Sequence, residues 1–159
     1  MKTRANCGQG SSLKYTEKEI KLAVNMVVEL ENALDLMFYL MDRNSENCFV
    51  LMLITAENIQ LKKLLEKEKR VTDIVYNIYK EECVSAMICQ ETKVEGGYRF
   101  AERIIRNINL DEGKDIFCSV IEVNTTKYSS KDIIFRVVDG FVKARKEERV
   151  GEIIFKSIY

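Results

Sequence analysis

Arg70-Val71-Thr72-Asp73, then Ile74-Val75-Tyr76-Asn77-Ile78, then Tyr79-Lys80-Glu81-Glu82-Cys83, is the stretch from which the rest of the chain can be read. Ile74 to Tyr79 and Cys83 to Cys89 are two short runs of β-branched, aromatic and apolar residues. Joined at Lys80-Glu81-Glu82, they predict a β-hairpin. An Arg-x-x-Asp stands directly before the first run, with five residues between it and Tyr79, and two adjacent acids sit near the hairpin's tip. Arginine's planar fork suits bidentate contact with phosphate.

The order of elements extends outward from that hairpin. Thr16 and Glu19 form a capping box for a helix running to about Asp42. Ile20, Ala23, Val27, Leu30, Leu34, Met37 and Met41 are expected to line one face, widened by Val24, Val28 and Phe38. That helix either packs on the chain's own core or pairs as a coiled coil. Cys48 to Ile54 reads as a buried strand. A charged helix beginning at Thr55 or Asn58 reaches about Arg70, with Ile59, Leu61, Leu64 and Leu65 as its apolar face. After the hairpin, Thr92 and Glu95 suggest a second capping box, opening a helix that carries Phe100, Ile104, Ile105 and Ile108. Ile116 to Val123 reads as a strand. Ser129 or Ser130 caps a further helix, and Val150 to Ile154 closes the chain as a strand. The sequence therefore predicts an α+β fold: a ferredoxin-like βαββαβ antiparallel sheet, preceded by a long helix and extended by a C-terminal αβ unit. Residues 1–15 read as a flexible tail, 16–44 as a helix available for dimerisation or linkage, and 45–159 as the folded domain.

Composition narrows the chemistry. At 159 residues and 47% hydrophobic, the chain suits one globular domain. Its 25 basic residues balance 25 acidic ones, which gives no support to bulk nucleic-acid or membrane-surface binding. No histidine is present, which removes imidazole-based triads and metal sites. Five cysteines without a Cys-x-x-Cys spacing read as reduced, mostly buried thiols of a cytoplasmic protein. No apolar run approaches the ~20 residues of a membrane span.

The Arg70–Cys83 stretch resembles the GGDEF domain of diguanylate cyclases, with Arg70 and Asp73 at the positions of the inhibitory site that binds cyclic di-GMP. Further matches are Phe100-Ala101-Glu102-Arg103-Ile104, similar to the Ala-Glu-Arg-Ile after that family's hairpin, and Gly140-Phe141-Val142-Lys143-Ala144-Arg145. The second places Arg145 where the family has a phosphate-contacting lysine. The catalytic half departs from the pattern. Tyr79 and Lys80 replace the two glycines, and Cys83 replaces the aromatic residue. Thr55 stands where the first metal-binding carboxylate is usual, leaving Glu57, Glu81 and Glu82 as vestigial acids. Only some fifteen residues separate Thr55 from Arg70, too few for the family's guanine-recognising segment. Glu122 stands where glycine is usual in the later strand.

The resemblance implies a non-catalytic, cytoplasmic signalling domain with no cofactor and no bound metal. It would bind cyclic di-GMP through Arg70 and Asp73 and regulate a protein partner, or pair with itself, through the N-terminal helix. Two other readings stand beside it: a nucleotide-independent interaction module on the same fold, and a cyclase with residual chemistry at Glu57, Glu81 and Glu82. Arg70 with Asp73 is also compatible with a plain surface ion pair.

Overall fold

The computed structural model describes residues 14–43, 48–79 and 83–158. The expected tail and the Lys80-Glu81-Glu82 link fall outside or largely outside these residues. Nine elements follow in order: α1 (Glu17–Asp42), β1 (Phe49–Glu57), α2 (Leu61–Glu68), β2 (Ile74–Tyr79), β3 (Val84–Gln90), α3 (Val94–Leu110), β4 (Lys114–Val123), α4 (Ser130–Lys146) and β5 (Ile153–Ile158). They build one five-stranded sheet in the order β2-β3-β1-β4-β5. The first four strands are antiparallel, and β5 joins β4 in parallel. This is the ferredoxin-like plan with an αβ unit added at one edge.

β1 lies at the centre, paired to β3 on one side and β4 on the other, with Phe49 to Ala56 all buried. A strand covered on both faces needs no polar alternation, which explains the continuous run Phe49-Val50-Leu51-Met52-Leu53-Ile54. Phe49, Leu51 and Leu53 enter a core shared with α1 and α4. Val50, Met52 and Ile54 enter a second core with α2 and α3. Gly97 in α3 is required by this closeness, because a Cβ there would lie 2.9 Å from Val50 Cγ1. No described helix is long and apolar enough to cross a membrane.

The capping boxes at Thr16/Glu19 and Ser129/Asp132 are both formed. The one expected at Thr92 is not: Lys93 is the N-cap residue of α3 and gives no side-chain cap. Buried Glu122 takes over, reaching from β4 to accept from the Val94 N–H and, at 2.7 Å, from Asn124 Nδ2. A carboxylate is favourable at a helix N-terminus. Three boundaries also move. β1 runs on to Glu57, so α2 starts only at Leu61. Asn58, at φ 60°, turns the chain sharply between them. β5 begins at Ile153, because Gly151 (φ 76°) and its neighbours form the preceding turn.

α1 lies on the sheet. Its buried residues are Leu22, Ala23, Met26, Leu30, Leu34, Met37 and Met41, and Tyr15 just before it donates to Asp139 of α4. The expected face was rotated at its N-terminal half: Ile20, Val24 and Val28 point to solvent while Leu22 and Met26 are inside. The reason is that α1 is apolar on two sides, so a 3–4 alternation can be started from Ile20 as well as from Leu22. If α1 is part of the core, Leu30→Ala will lower unfolding free energy by about 2–5 kcal/mol. Val28→Ala, in dilute protein, will change it by less than about 0.5 kcal/mol. Urea titrations of both variants check this; equal small effects would mean that α1 does not hold the fold together.

Candidate functional site

Arg70 and Asp73 occupy the connection between the end of α2 and the start of β2. The Asp73 side chain is 2% exposed and the Arg70 side chain 54%. The backbone N–H of Arg70 donates to Asp73 Oδ2 at 3.0 Å, and its Nη2 to Oδ1 at 3.0 Å. Nε lies 3.3 Å from both carboxylate oxygens. Nη2 also donates to the Gln90 carbonyl at 2.7 Å and the Thr92 hydroxyl at 2.5 Å. The guanidinium thus bridges the α2–β2 turn to the end of β3. The Asp73 hydrogen bond, helped by its charge, raises the Arg70 pKa further above its already high value, against the opposing effect of burial. Thr92, expected as a helix cap, serves this cluster.

The pair lines a cavity of about 280 Å³ together with Cys89, Thr92, Gly96, Arg99, Phe100 and Arg103. Arg99 and Arg103 come from α3, one turn apart, a spacing that places them on neighbouring positions of one face. Arg103 is anchored to the end of α2: its Nε lies 3.4 Å from Glu68 Oε2, its Nη2 donates to the Glu68 carbonyl at 3.2 Å, and its Cζ sits 5.0 Å from the Phe100 ring centre. Three arginines therefore border one small cavity. Asp73 is the buried counter-charge behind them, and Cys89, whose thiol burial pushes up to about 12, is a neutral wall. The sequence reading identified Arg70 and Asp73 and missed Arg99. Arg103 was noted only as part of a motif. What was missing was the placement of α3 beside the Arg70 turn, which brings both arginines to the cavity.

A larger cavity of about 870 Å³ lies at the opposite end of the β2–β3 hairpin, about 20 Å away at ~3.3 Å per strand residue. It brings together Thr55, Glu57 and Arg145 with Lys18, Asp115 and Glu148. Asn58, Cys83, Asp115 and Glu148, all lining it, have positive φ, at 60°, 52°, 49° and 52°. Its rim is therefore made of tight turns at strand and helix ends. Thr55 donates from Oγ1 to the Cys83 carbonyl at 3.1 Å. That hydroxyl is uncharged and tied to the backbone. Among the described residues, no three of His, Cys, Asp and Glu are grouped to hold a metal ion. Glu81 and Glu82 lie outside the described residues. Arg145 stacks its Cζ 5.4 Å from the Phe141 ring centre and faces the large cavity rather than the one at Arg70. The single helix α2 between β1 and Arg70 agrees with the short spacing noted there.

Compared with solved structures, the chain superposes on GGDEF and diguanylate cyclase domains, among them the following three. SiaD of Pseudomonas aeruginosa, solved with its activator SiaC, matches at TM-score 0.65 and 12% identity over 80% of this chain and 57% of that one. The coiled coil and GGDEF domain of DgcB from Caulobacter crescentus, solved with c-di-GMP, matches at TM-score 0.63 and 9% identity over 79% and 78%. The active GGEEF domain of a diguanylate cyclase from Vibrio cholerae matches at TM-score 0.60 and 15% identity over 74% and 88%. The fold is that of a GGDEF domain. No family profile matches the sequence, and no curated protein matches it. At these identities the likeness is one of fold, and the chain spans little more than half the length of SiaD.

The arginine clamp in this GGDEF-like fold has a measurable structural share. Arg70→Ala strips a buried carboxylate of its cation and will cost about 1–3 kcal/mol in urea unfolding. Adding Asp73→Ala will recover part of that loss, since the two act as a unit. A loss under about 0.5 kcal/mol for Arg70→Ala would show that Asp73 does not depend on it.

Proposed function

We propose that this chain is a non-catalytic GGDEF-like signalling domain that binds cyclic di-GMP at the cavity bordered by Arg70, Arg99 and Arg103, with Asp73 holding Arg70 in place. One observation carries the reading: the Arg-x-x-Asp turn and two α3 arginines converge on a single concave surface. Guanidinium groups pair bidentately with phosphate and with the O6/N7 edge of guanine, and a cyclic dinucleotide offers two of each. The loss of cyclase activity rests on Thr55 in the place of a carboxylate, and on Tyr79 and Lys80 in the place of glycines. Glycines there would let a triphosphate approach the backbone, and side chains in their place block that approach. The output of such a domain is a protein contact, either with a partner or with a second copy.

The burial of Asp73 favours a second reading. Both its oxygens are engaged by Arg70, so guanine N–H groups cannot reach the carboxylate without displacing the clamp. In that reading the pair is structural and the domain works as a nucleotide-independent interaction module. Isothermal calorimetry with cyclic di-GMP separates the two. Binding weakened at least about tenfold by Arg99→Ala, a variant that leaves the clamp intact, supports the receptor. Absence of heat at high micromolar ligand supports the module. Incubation with GTP and Mg²⁺ or Mn²⁺ is expected to give no cyclic product; conversion lost in Glu82→Gln would revive the enzyme reading.

A further inference from the structure

β5 ends the sheet on one side and, among the described residues, no strand pairs with its outer edge. The Ile158 carbonyl accepts from the Asn124 N–H just beyond β4, so it points to the β4 side. Backbone groups alternate in direction along a strand, which turns the N–H and C=O of Ile153, Phe155 and Ser157 outward. A row of unpaired donors and acceptors is a template for a further strand. The side chains of Ile153 and Phe155 face α3, and each lines its own cavity between that helix and the edge. The cavity at Ile153, about 520 Å³, is shared with Tyr98, Glu102 and Ile105. The one at Phe155, about 460 Å³, is shared with Val94, Tyr98 and Glu102. The two are set by residues i and i+2, ~7 Å apart, the interval at which an added strand presents its side chains. Phe155 is 51% exposed although it meets the Tyr98 ring edge-on at 5.5 Å.

The edge is complementary to itself. It reads Glu152-Ile153-Ile154-Phe155-Lys156. About a two-fold axis at Ile154, an antiparallel copy sets Glu152 against Lys156 twice and Ile153 against Phe155 twice. Opposite charges and aromatic–β-branched pairs are favourable cross-strand partners. Ile153 and Phe155 carry the outward backbone groups on both strands, so each of those pairs exchanges both its N–H···O=C bonds. Phe155 of the other copy then enters the cavity at Ile153, and Ile153 of the other copy enters the cavity at Phe155. An axis at Lys156 would set lysine against lysine, and one at Phe155 would leave Glu152 opposite Ile158. Both charges also have neighbours within the chain: Arg149 Nε donates to Glu152 at 2.6 Å, and Lys156 acts on Asp139. Across the seam the signs still alternate, Arg149 and Glu152 followed by Lys156 and Asp139 of the other copy, so pairing adds an attraction to each side.

We propose that two copies of this chain pair antiparallel along the outer edge of β5, about a two-fold axis at Ile154, joining their sheets into one continuous sheet. A single pair of short strands falls below the ~1,200 Å² of a stable interface, so the dimer forms in the micromolar range or weaker. α1 takes no part in it, and Arg70 stands beside β2 at the opposite edge of the sheet. The pairing therefore does not depend on whether the arginine cavity binds a dinucleotide.

Sedimentation velocity on the full chain without nucleotide, from ~1 to ~500 µM, tests this. The expected result for the wild type is a concentration-dependent dimer. Lys156→Glu sets carboxylate against carboxylate at both charge pairs, and Glu152→Lys sets ammonium against ammonium. Each, at an exposed position, raises the dissociation constant at least about tenfold with circular dichroism unchanged. An equimolar mixture of the two variants restores opposite charges at both places and associates as readily as the wild type. Phe155→Ser removes the side chain seated in the other copy's cavity and weakens the dimer to a similar degree. Arg70→Ala tested alongside leaves the dimer intact, which keeps this outcome separate from that of the dinucleotide. A chain that stays monomeric throughout, a dimer indifferent to the edge substitutions, or a mixture that associates no better than its components would overturn the proposal.

Discussion

A carboxylate almost wholly removed from water needs fixed donors, and among the described residues Arg70 supplies them to Asp73. The same guanidinium binds the Gln90 carbonyl and the Thr92 hydroxyl, so one side chain ties the exit of α2 to the end of β3. Arg70 is thereby presented in one orientation beside α3. The entropy of ordering a long side chain is met during folding rather than on binding, the economy that preorganised sites share. The clamp also limits what the site can do. Asp73 orients Arg70 and is covered by it, so in the proposed function recognition at this cavity falls to the three arginines.

The two ends of the hairpin have diverged in kind. At the Arg70 end, charge is concentrated and internally braced. At the other, the broad cavity mixes Lys18 and Arg145 with Glu57, Asp115 and Glu148, and Thr55 spends its hydroxyl on the Cys83 carbonyl. A nucleotide triphosphate brings dense negative charge and needs concentrated counter-charge, usually with metal, to neutralise it. The described residues of the large cavity set three carboxylates against two cations, so they repel as much as they attract.

Much of this was legible in the residues because local signals and tertiary fold agree. Thr16/Glu19 and Ser129 with a helical run behind it are caps that form wherever the backbone allows. Phe49 to Ile54 is too short and too apolar to be anything but a central strand. Legibility failed where two local solutions compete. α1 is apolar on both its inner and its outer side, and periodicity cannot tell which side meets the sheet. Thr92 could cap α3 or serve Arg70, and the ion pair won because a buried charge is worth more than one cap bond. Arg99 was invisible because its relevance comes from the meeting of α3 with the α2–β2 turn at one cavity, a tertiary fact with no trace in its sequence neighbours.

The central claim is that ligand meets this domain at the arginine cavity and not at the broad one. Two-dimensional ¹H–¹⁵N spectra of the labelled protein during a cyclic di-GMP titration report on both places at once, through the arginine Nε–H signals and the backbone amides. The account predicts that Arg70, Arg99 and Arg103 shift together with amides of Thr92 and Gly96, while those of Glu57, Asp115 and Arg145 stay still. Shifts gathered around Glu57, Asp115 and Arg145, or none anywhere at saturating ligand, would contradict it.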